Sequence, residues 1–178
     1  MKKKGYFDAN LPWVEEVGIS KAISNELHMA QFSVPYPEGK LRAYRFPNRK
    51  ASIIAKAGSW LKRTCEFKLD KLLEKHQDPR HKREILLQCP GFGYKSASWF
   101  LRNIGEGDKL AIIDVHVYRT LLEFRIIPKE FNISSNYLEI EEIYCDACNQ
   151  IGAQPELLDL ILWEWARGYS IGRDSYAL

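Results

Sequence analysis

The chain has 178 residues, 46% hydrophobic and 28% charged, a composition that supports one ordinary globular core and excludes both a second full-sized domain and a disordered polyelectrolyte. The net charge of +3 is small, but its distribution is not: residues 35–102 carry 16 Lys and Arg against 6 Asp and Glu, residues 103–178 carry 6 against 13, and residues 1–34 balance at 4 and 4. Four scattered cysteines argue against a disulfide framework, no apolar run approaches membrane-spanning length, and the basic start MKKKGYFDANLPW lacks the apolar stretch of a secretory signal, so a cytoplasmic location is expected.

Taken in order, residues 12–31 predict an amphipathic helix, with Trp13, Val17, Ile23, Leu27 and Ala30 at roughly helical spacing and Pro12 in the first turn. Residues 33–48 hold three prolines and a glycine and predict a long irregular loop, in which Lys40, Arg42, Tyr44, Arg45 and Phe46 interleave basic and aromatic groups. Such a mixture suits either contact with DNA or packing onto the domain. Asn48 is placed to cap a helix running to about Arg63, and residues 67–76 predict another that buries Leu69, Leu72 and Leu73. Asp78-Pro79 then opens a helix, the aspartate as N-cap and the proline at the first helical position.

That helix ends at Cys89-Pro90, and Gly91-Phe92-Gly93 supplies two residues without Cβ where a tight hairpin must admit positive φ. A second helix begins near Tyr94 or Lys95 and stops near Gly105. A hairpin of this kind either connects two core helices or presents unpaired N–H groups to a phosphate. The basic part of the chain contains it, as a phosphate-tracking face requires. Lys95 follows the hairpin directly. Asp114 comes between the apolar run 110–113 and the helical pattern VHVYRTLLEF, where it can cap the following amides. Ser134 or Ser135 is placed to cap the next helix, with Ile140, Tyr144, Ala147 and Ile151 spaced four, three and four apart and Gly152 ending it. Pro155 starts PELLDLILWEWARG, apolar nearly all round and therefore expected to be buried on more than one side. No convincing strand, repeat or low-complexity tract is present. Cys145 and Cys148, three apart on a helix, suit the core better than half of a zinc site, since no second close pair exists.

The string CPGFGYKSASWFLRNIG, followed by IIDVHVYR, resembles the helix-hairpin-helix DNA glycosylases, and among them the short archaeal and bacterial 8-oxoguanine DNA glycosylase/AP lyases. The resemblance is dense over residues 84–121. It implies an all-α, two-lobed fold over residues 1–178, with the helix-hairpin-helix at about 80–104, the aspartate loop at 110–116, and DNA and base entering the cleft between the lobes. The iron-sulfur centre of the endonuclease III branch is not expected, because its four-cysteine cluster is absent. The resemblance also implies that Lys95 is the nucleophile and Asp114 its electrostatic partner. His116 would approach a DNA phosphate, Gly91, Gly93, Tyr94 and Arg119 would contact DNA, and Trp163 would line the base pocket. The carbonyls of Leu87, Cys89 and Phe92 would hold Na+ or K+, no cofactor being required for the chemistry.

The partner implied is double-stranded DNA carrying a damaged base, met by a monomer. Attack on the C1′ carbon needs the base swung out of the stack, because the duplex hides that carbon. A neutral Lys95 amine would displace the base and form a Schiff base at C1′, and β-elimination would cut the strand. Ionised Asp114 would stabilise the positive charge that develops on the sugar. The relatives connect residues 33–48 by a shorter segment, which leaves the wedge residue to Tyr36 at best. They also end in a lysine whose carboxylate helps hold the base, where this sequence reads Asp174-Ser175-Tyr176-Ala177-Leu178. The mode of base recognition is therefore open. Two other readings use parts of the same pattern: a non-catalytic DNA-gripping module, needing neither Lys95 nor Asp114, and a glycosylase for another modified base.

Overall fold

The structure is a computed structural model that describes residues 16–29, 32–33 and 41–174. It is helical: α1 (Glu16–His28), α2 (Pro47–Cys65), α3 (Leu69–Leu73), α4 (Pro79–Leu87), α5 (Tyr94–Asn103), α6 (Val115–Glu123), α7 (Tyr137–Gln150) and α8 (Pro155–Asp174). Among the described residues the one departure from all-α is a two-rung antiparallel ladder, β1 (Phe32–Ser33) with β2 (Leu41–Arg42), which begins at the edge of the segment expected to be irregular. Two residues per strand are too few for a period-2 pattern to show in a sequence. Pro12, Trp13, Ala30, Tyr36, Lys40 and residues 175–178 lie outside the described residues. Among the described residues no helix is long and apolar enough to cross a membrane.

The chain divides into two compact units, one holding the described residues up to His76 together with Gln88–Gly91, the other Gln77–Leu87 and everything from Phe92 onward. In the first unit, Ile19, Ile23 and Leu27 form a stripe at steps of four that packs against Ala51 and Ala55 of α2. The small alanines let the two helices approach closely. Val17, expected on that stripe, is 76% exposed, because two residues before Ile19 places it about 200° round the helix. Asn48 is not the cap of α2 either: Pro47 already occupies the first turn, Phe46 is the N-cap in a left-handed conformation, and the Asn48 side chain accepts a 2.6 Å bond from Ser24 Oγ, tying α1 to α2. Helix α3 is a single turn rather than the ten residues expected. Glu66 and Phe67 both take positive φ and delay it, and only Leu73 is fully buried.

In the second unit, Asp78 caps α4 as expected, its Oδ1 accepting from Arg80 N at 3.0 Å. Helices α4 and α5 bury Leu86, Ala97 and Leu101 completely. The larger core gathers Ala111, Ile113, Val117, Leu121, Ile127, Tyr137, Ile140, Tyr144 and Cys148, with Cys145 packed beside it. Each such fully buried Leu or Ile contributes about 1.5–3 kcal/mol relative to exposure. All four cysteines are free thiols.

Neither Ser134 nor Ser135 caps α7. Its N-cap is Asn136, and the preceding loop is knotted by Asn132, whose Oδ1 accepts from Ser134 N at 2.8 Å and whose carbonyl accepts from Asn136 N at 2.8 Å. Helix α8 is not buried all round. Asp159 is buried and Leu158 and Leu162 pack on the core, whereas Leu157, Leu160, Ile161 and Trp165 are 44–60% exposed, since the core covers only one side of the helix.

The split of charge along the chain also has a partly internal explanation. Three cations of the basic part are paired inside the second unit with acids of the acidic part: Lys82 with Glu106, Arg83 with Glu141 at 2.7 Å, and Arg102 with Asp159 at 2.6 Å. These three contribute to holding the fold, and less than the whole segregation is left for a phosphate-tracking surface.

Candidate active site

The turn before α5 departs from expectation in one detail. Gly91 takes φ +97°, and a Cβ there would sit 2.5 Å from Ile53 Cγ2, so glycine is required twice over. Gly93 instead is extended, φ −123° and ψ 177°, with open space around it, and serves as the N-cap of α5. Ser96 closes that end by accepting from Gly93 N at 2.8 Å and donating to Gly93 O at 3.0 Å. Phe92 packs edge-on against Phe100, with ring centroids 5.7 Å apart. Lys95 is thus the second residue of a helix whose start is fixed on both sides.

Asp114 is 6% exposed and caps α6. Its Oδ1 accepts from His116 N at 2.8 Å and Val117 N at 2.9 Å, which is the capping role read from the sequence. Its other oxygen, Oδ2, lies 3.8 Å from Lys95 Nζ. The carboxylate therefore has divided duties. One oxygen is held by the helix amides, whose positive end is a fitting seat for a negative charge, and the other faces the amine at a distance beyond a hydrogen bond.

The segment leading to Asp114 is held amide by amide from other helices. Ala111 N donates to Glu141 Oε1 at 3.1 Å, Ile112 N to Asp159 Oδ2 at 2.7 Å, and Ile113 N to the Tyr137 hydroxyl at 3.2 Å. The two carboxylates are themselves held by Arg83 and Arg102, the latter through both terminal nitrogens at 2.8 and 2.6 Å. Arg102 also donates to Leu110 O at 3.1 Å. An extended segment without a sheet partner would otherwise leave these buried N–H groups unpaired.

Lys95 and Asp114 share a cavity of about 430 Å³ with Gly93, Tyr94, Ser96, Ile113, Val115, Ile133, Ser134 and Tyr137. Of the residues singled out in the sequence, the structure brings together Gly93, Tyr94, Lys95 and Asp114. His116 and Arg119 lie one turn apart on α6, half-buried and exposed respectively, and Trp163 is half-buried on α8; none of the three lines this cavity. Sequence reasoning missed Tyr137, Ile133 and Ser134, which approach from more than 18 residues beyond Asp114 and leave no local signal. Glu141 and Asp159 did leave one: each is an acid at a position whose helical neighbours are core residues. Among the described residues no group of three or more His, Cys, Asp or Glu side chains is arranged to hold a metal ion.

A helical fold with a glycine turn feeding a helix that carries an early lysine, facing a capping aspartate, defines the class of helix-hairpin-helix DNA glycosylases. Residues 17–153 match the family model described as 8-oxoguanine DNA glycosylase, and the chain belongs to that family. The 8-oxoguanine DNA glycosylase/AP lyase of Metallosphaera sedula is 35% identical over 70% of this chain and 59% of its own length, and that of Fusobacterium nucleatum 33% identical over 69% and 58%. Among solved structures, the Methanocaldococcus jannaschii 8-oxoguanine glycosylase/lyase in complex with a 15mer DNA containing 8-oxoguanine aligns with a TM-score of 0.58 and 29% identity, over 89% of this chain and 66% of that one. The chain thus spans about three fifths of the length of the curated relatives it matches.

Proposed function

We propose that this chain is a bifunctional 8-oxoguanine DNA glycosylase/AP lyase acting on double-stranded DNA. The observation that carries the proposal is the 3.8 Å approach of the half-exposed Lys95 amine to an otherwise buried carboxylate, in a cavity of about 430 Å³. Membership of the family and the relatives' names support the same reading.

In this mechanism the lone pair of neutral Lys95 Nζ forms a bond to C1′ while the C1′–N bond to the base breaks, and the electron pair leaves with the base, which is protonated. Positive charge develops on the sugar as that bond lengthens, and the Oδ2 oxygen of Asp114 stabilises it at close range. The ammonium so formed gives up one proton, the C1′–O4′ bond breaks as the ring oxygen takes up a proton, and a protonated Schiff base is left at C1′ to draw electrons from C2′. Loss of a C2′ proton expels the 3′ phosphate, and water returns the lysine. The Oδ1 oxygen stays with the amides of α6 throughout, so the carboxylate does not swing. His116 and Arg119, on the first turns of α6, are assigned to the DNA backbone, together with Gly91, Gly93 and Tyr94, and Trp163 to the base. A monovalent cation is assigned to the carbonyls of Leu87, Cys89 and Phe92 on the family resemblance alone. Such an ion would add positive charge beside a bound phosphate.

Borohydride treatment with a duplex containing 8-oxoguanine tests this reading. The wild type is expected to give a covalent protein–DNA adduct and Lys95→Gln none. Failure of the wild type to trap on 8-oxoguanine, abasic or oxidised-pyrimidine DNA overturns the proposal in favour of a DNA-gripping module, and trapping confined to oxidised pyrimidines changes the lesion.

A further inference from the structure

Tyr137 opens helix α7, 23 residues beyond Asp114 and 42 beyond Lys95, yet its side chain touches the chain next to both. Its ring stacks on that of Tyr94, the residue before Lys95, with centroids 5.2 Å apart and planes 14° from parallel. Its hydroxyl accepts from Ile113 N, the residue before Asp114, at 3.2 Å and donates toward Ala111 O at 3.4 Å. The side chain is 6% exposed and forms part of the wall of the cavity that holds Lys95 and Asp114. A parallel route reinforces it: the Arg83 guanidinium lies 5.5 Å from the Tyr94 ring centroid, and its partner Glu141 accepts from Ala111 N.

We infer that Tyr137 is a positioning residue that sets the separation of Lys95 from Asp114, its ring locating the amine's helix and its hydroxyl locating the carboxylate's segment. The inference rests on the proposed glycosylase/lyase reading and deepens it. The chemistry at C1′ needs both groups held closely in place, and the bond from Arg102 of α5 to Leu110 O joins the ends of helix and segment that lie away from Lys95 and Asp114. Tyrosine is the side chain that serves here. Phenylalanine would keep the stack but leave the Ile113 N–H and the Ala111 carbonyl, both on fully buried residues, without that partner. Leucine would lose the stack as well. Burial pushes the Tyr137 phenol above its ordinary pKa, in keeping with the donation toward Ala111 O.

The test is a double-mutant cycle in the full chain, read by single-turnover strand cleavage at saturating enzyme, by DNA affinity and by borohydride trapping. Tyr137→Phe is expected to slow the single-turnover rate on the order of 10- to 100-fold, the size of effect that misplacement by an ångström produces, with DNA affinity unchanged. In an Asp114→Asn background the same substitution should add little, because the carboxylate it positions is already gone. Tyr137→Leu should be slower still, and if that variant does not fold, Tyr137→Phe and faster hydrogen exchange at the Ile113 amide carry the test. A wild-type rate for a folded Tyr137→Phe, or an equal loss in the Asp114→Asn background, overturns the inference. A wild type that never traps overturns the underlying reading instead, so the two failures are separable.

Discussion

Replacing Asp114 by asparagine separates the two duties of one carboxylate. Asparagine is as good an N-cap as aspartate, and its Oδ1 can keep both bonds to the His116 and Val117 amides. What is lost is the charge at Oδ2. Against stability that charge counts for little, because the Lys95 side chain facing it is 48% exposed and ion pairs of this kind are worth about 0–1 kcal/mol. A chain of this size should then melt within roughly 2–4 °C of the wild type. Against the reaction the charge counts for much more. Removing a group aimed at developing charge typically costs about 2.7–4 kcal/mol, a slowing of about 10²–10³-fold. Asp114→Ala gives the complementary result, since loss of the cap adds about 0.5–2 kcal/mol of destabilisation to a comparable loss of rate. Thermal melts beside single-turnover cleavage of an 8-oxoguanine duplex decide the matter. If Asp114→Asn cleaves within about threefold of wild type, or melts as low as the alanine variant, the division of duties is wrong.

Arg83→Met should lower stability by about 3–5 kcal/mol in urea denaturation, because it strands Glu141 as a buried charge with only the Ala111 amide beside it. Adding Glu141→Gln removes that charge while keeping an acceptor for Ala111 and should recover part of the loss; no recovery would place the cost in packing instead. Alkaline pH is expected to destabilise the fold. Burial, and secondarily the nearby Glu141, pushes the Cys145 thiol up to about 12 from an ordinary 9.0, so the folded state holds this proton more tightly than the unfolded chain. That stability is complete below about pH 9 and is lost as pH rises toward about 12. The urea midpoint should therefore fall as pH is raised from about 9 to about 10.5, and fall less in Cys145→Ala; equal slopes in the two proteins would refute the assignment.

What could be read from the sequence was what is local in the chain. Asp78-Pro79 marks the start of α4, Gly91 the turn and Asp114 the start of α6, because caps and turns are set by residues within three or four positions of one another. The pairing of Lys95 with Asp114 rested on resemblance, since no spacing rule connects two side chains 19 residues apart. What the supports of Asp114 bind was out of reach for the same reason: Glu141 and Asp159 stand out as acids among core positions, but they and Tyr137 meet residues 111–113 only after α7 and α8 have folded against them. The charge split misled in part, because a run of basic residues reads as a surface until its partners are located, and Lys82, Arg83 and Arg102 point inward. The start of α2 was misplaced by two residues: Phe46, not Asn48, is the N-cap, and Pro47 takes the first helical position.

The amide-by-amide support of residues 111–113 sets an order on how this site is assembled during synthesis. A chain that has left the ribosome only as far as residue 130 already contains α4, the turn and α5, and so the lysine. It has none of the three side chains that hold the stretch before Asp114, the last of which arrives with α8. A fragment that stops near residue 130 should therefore carry the Lys95 helix without a fixed carboxylate opposite it, and the pair is held in place only once α7 and α8 have folded.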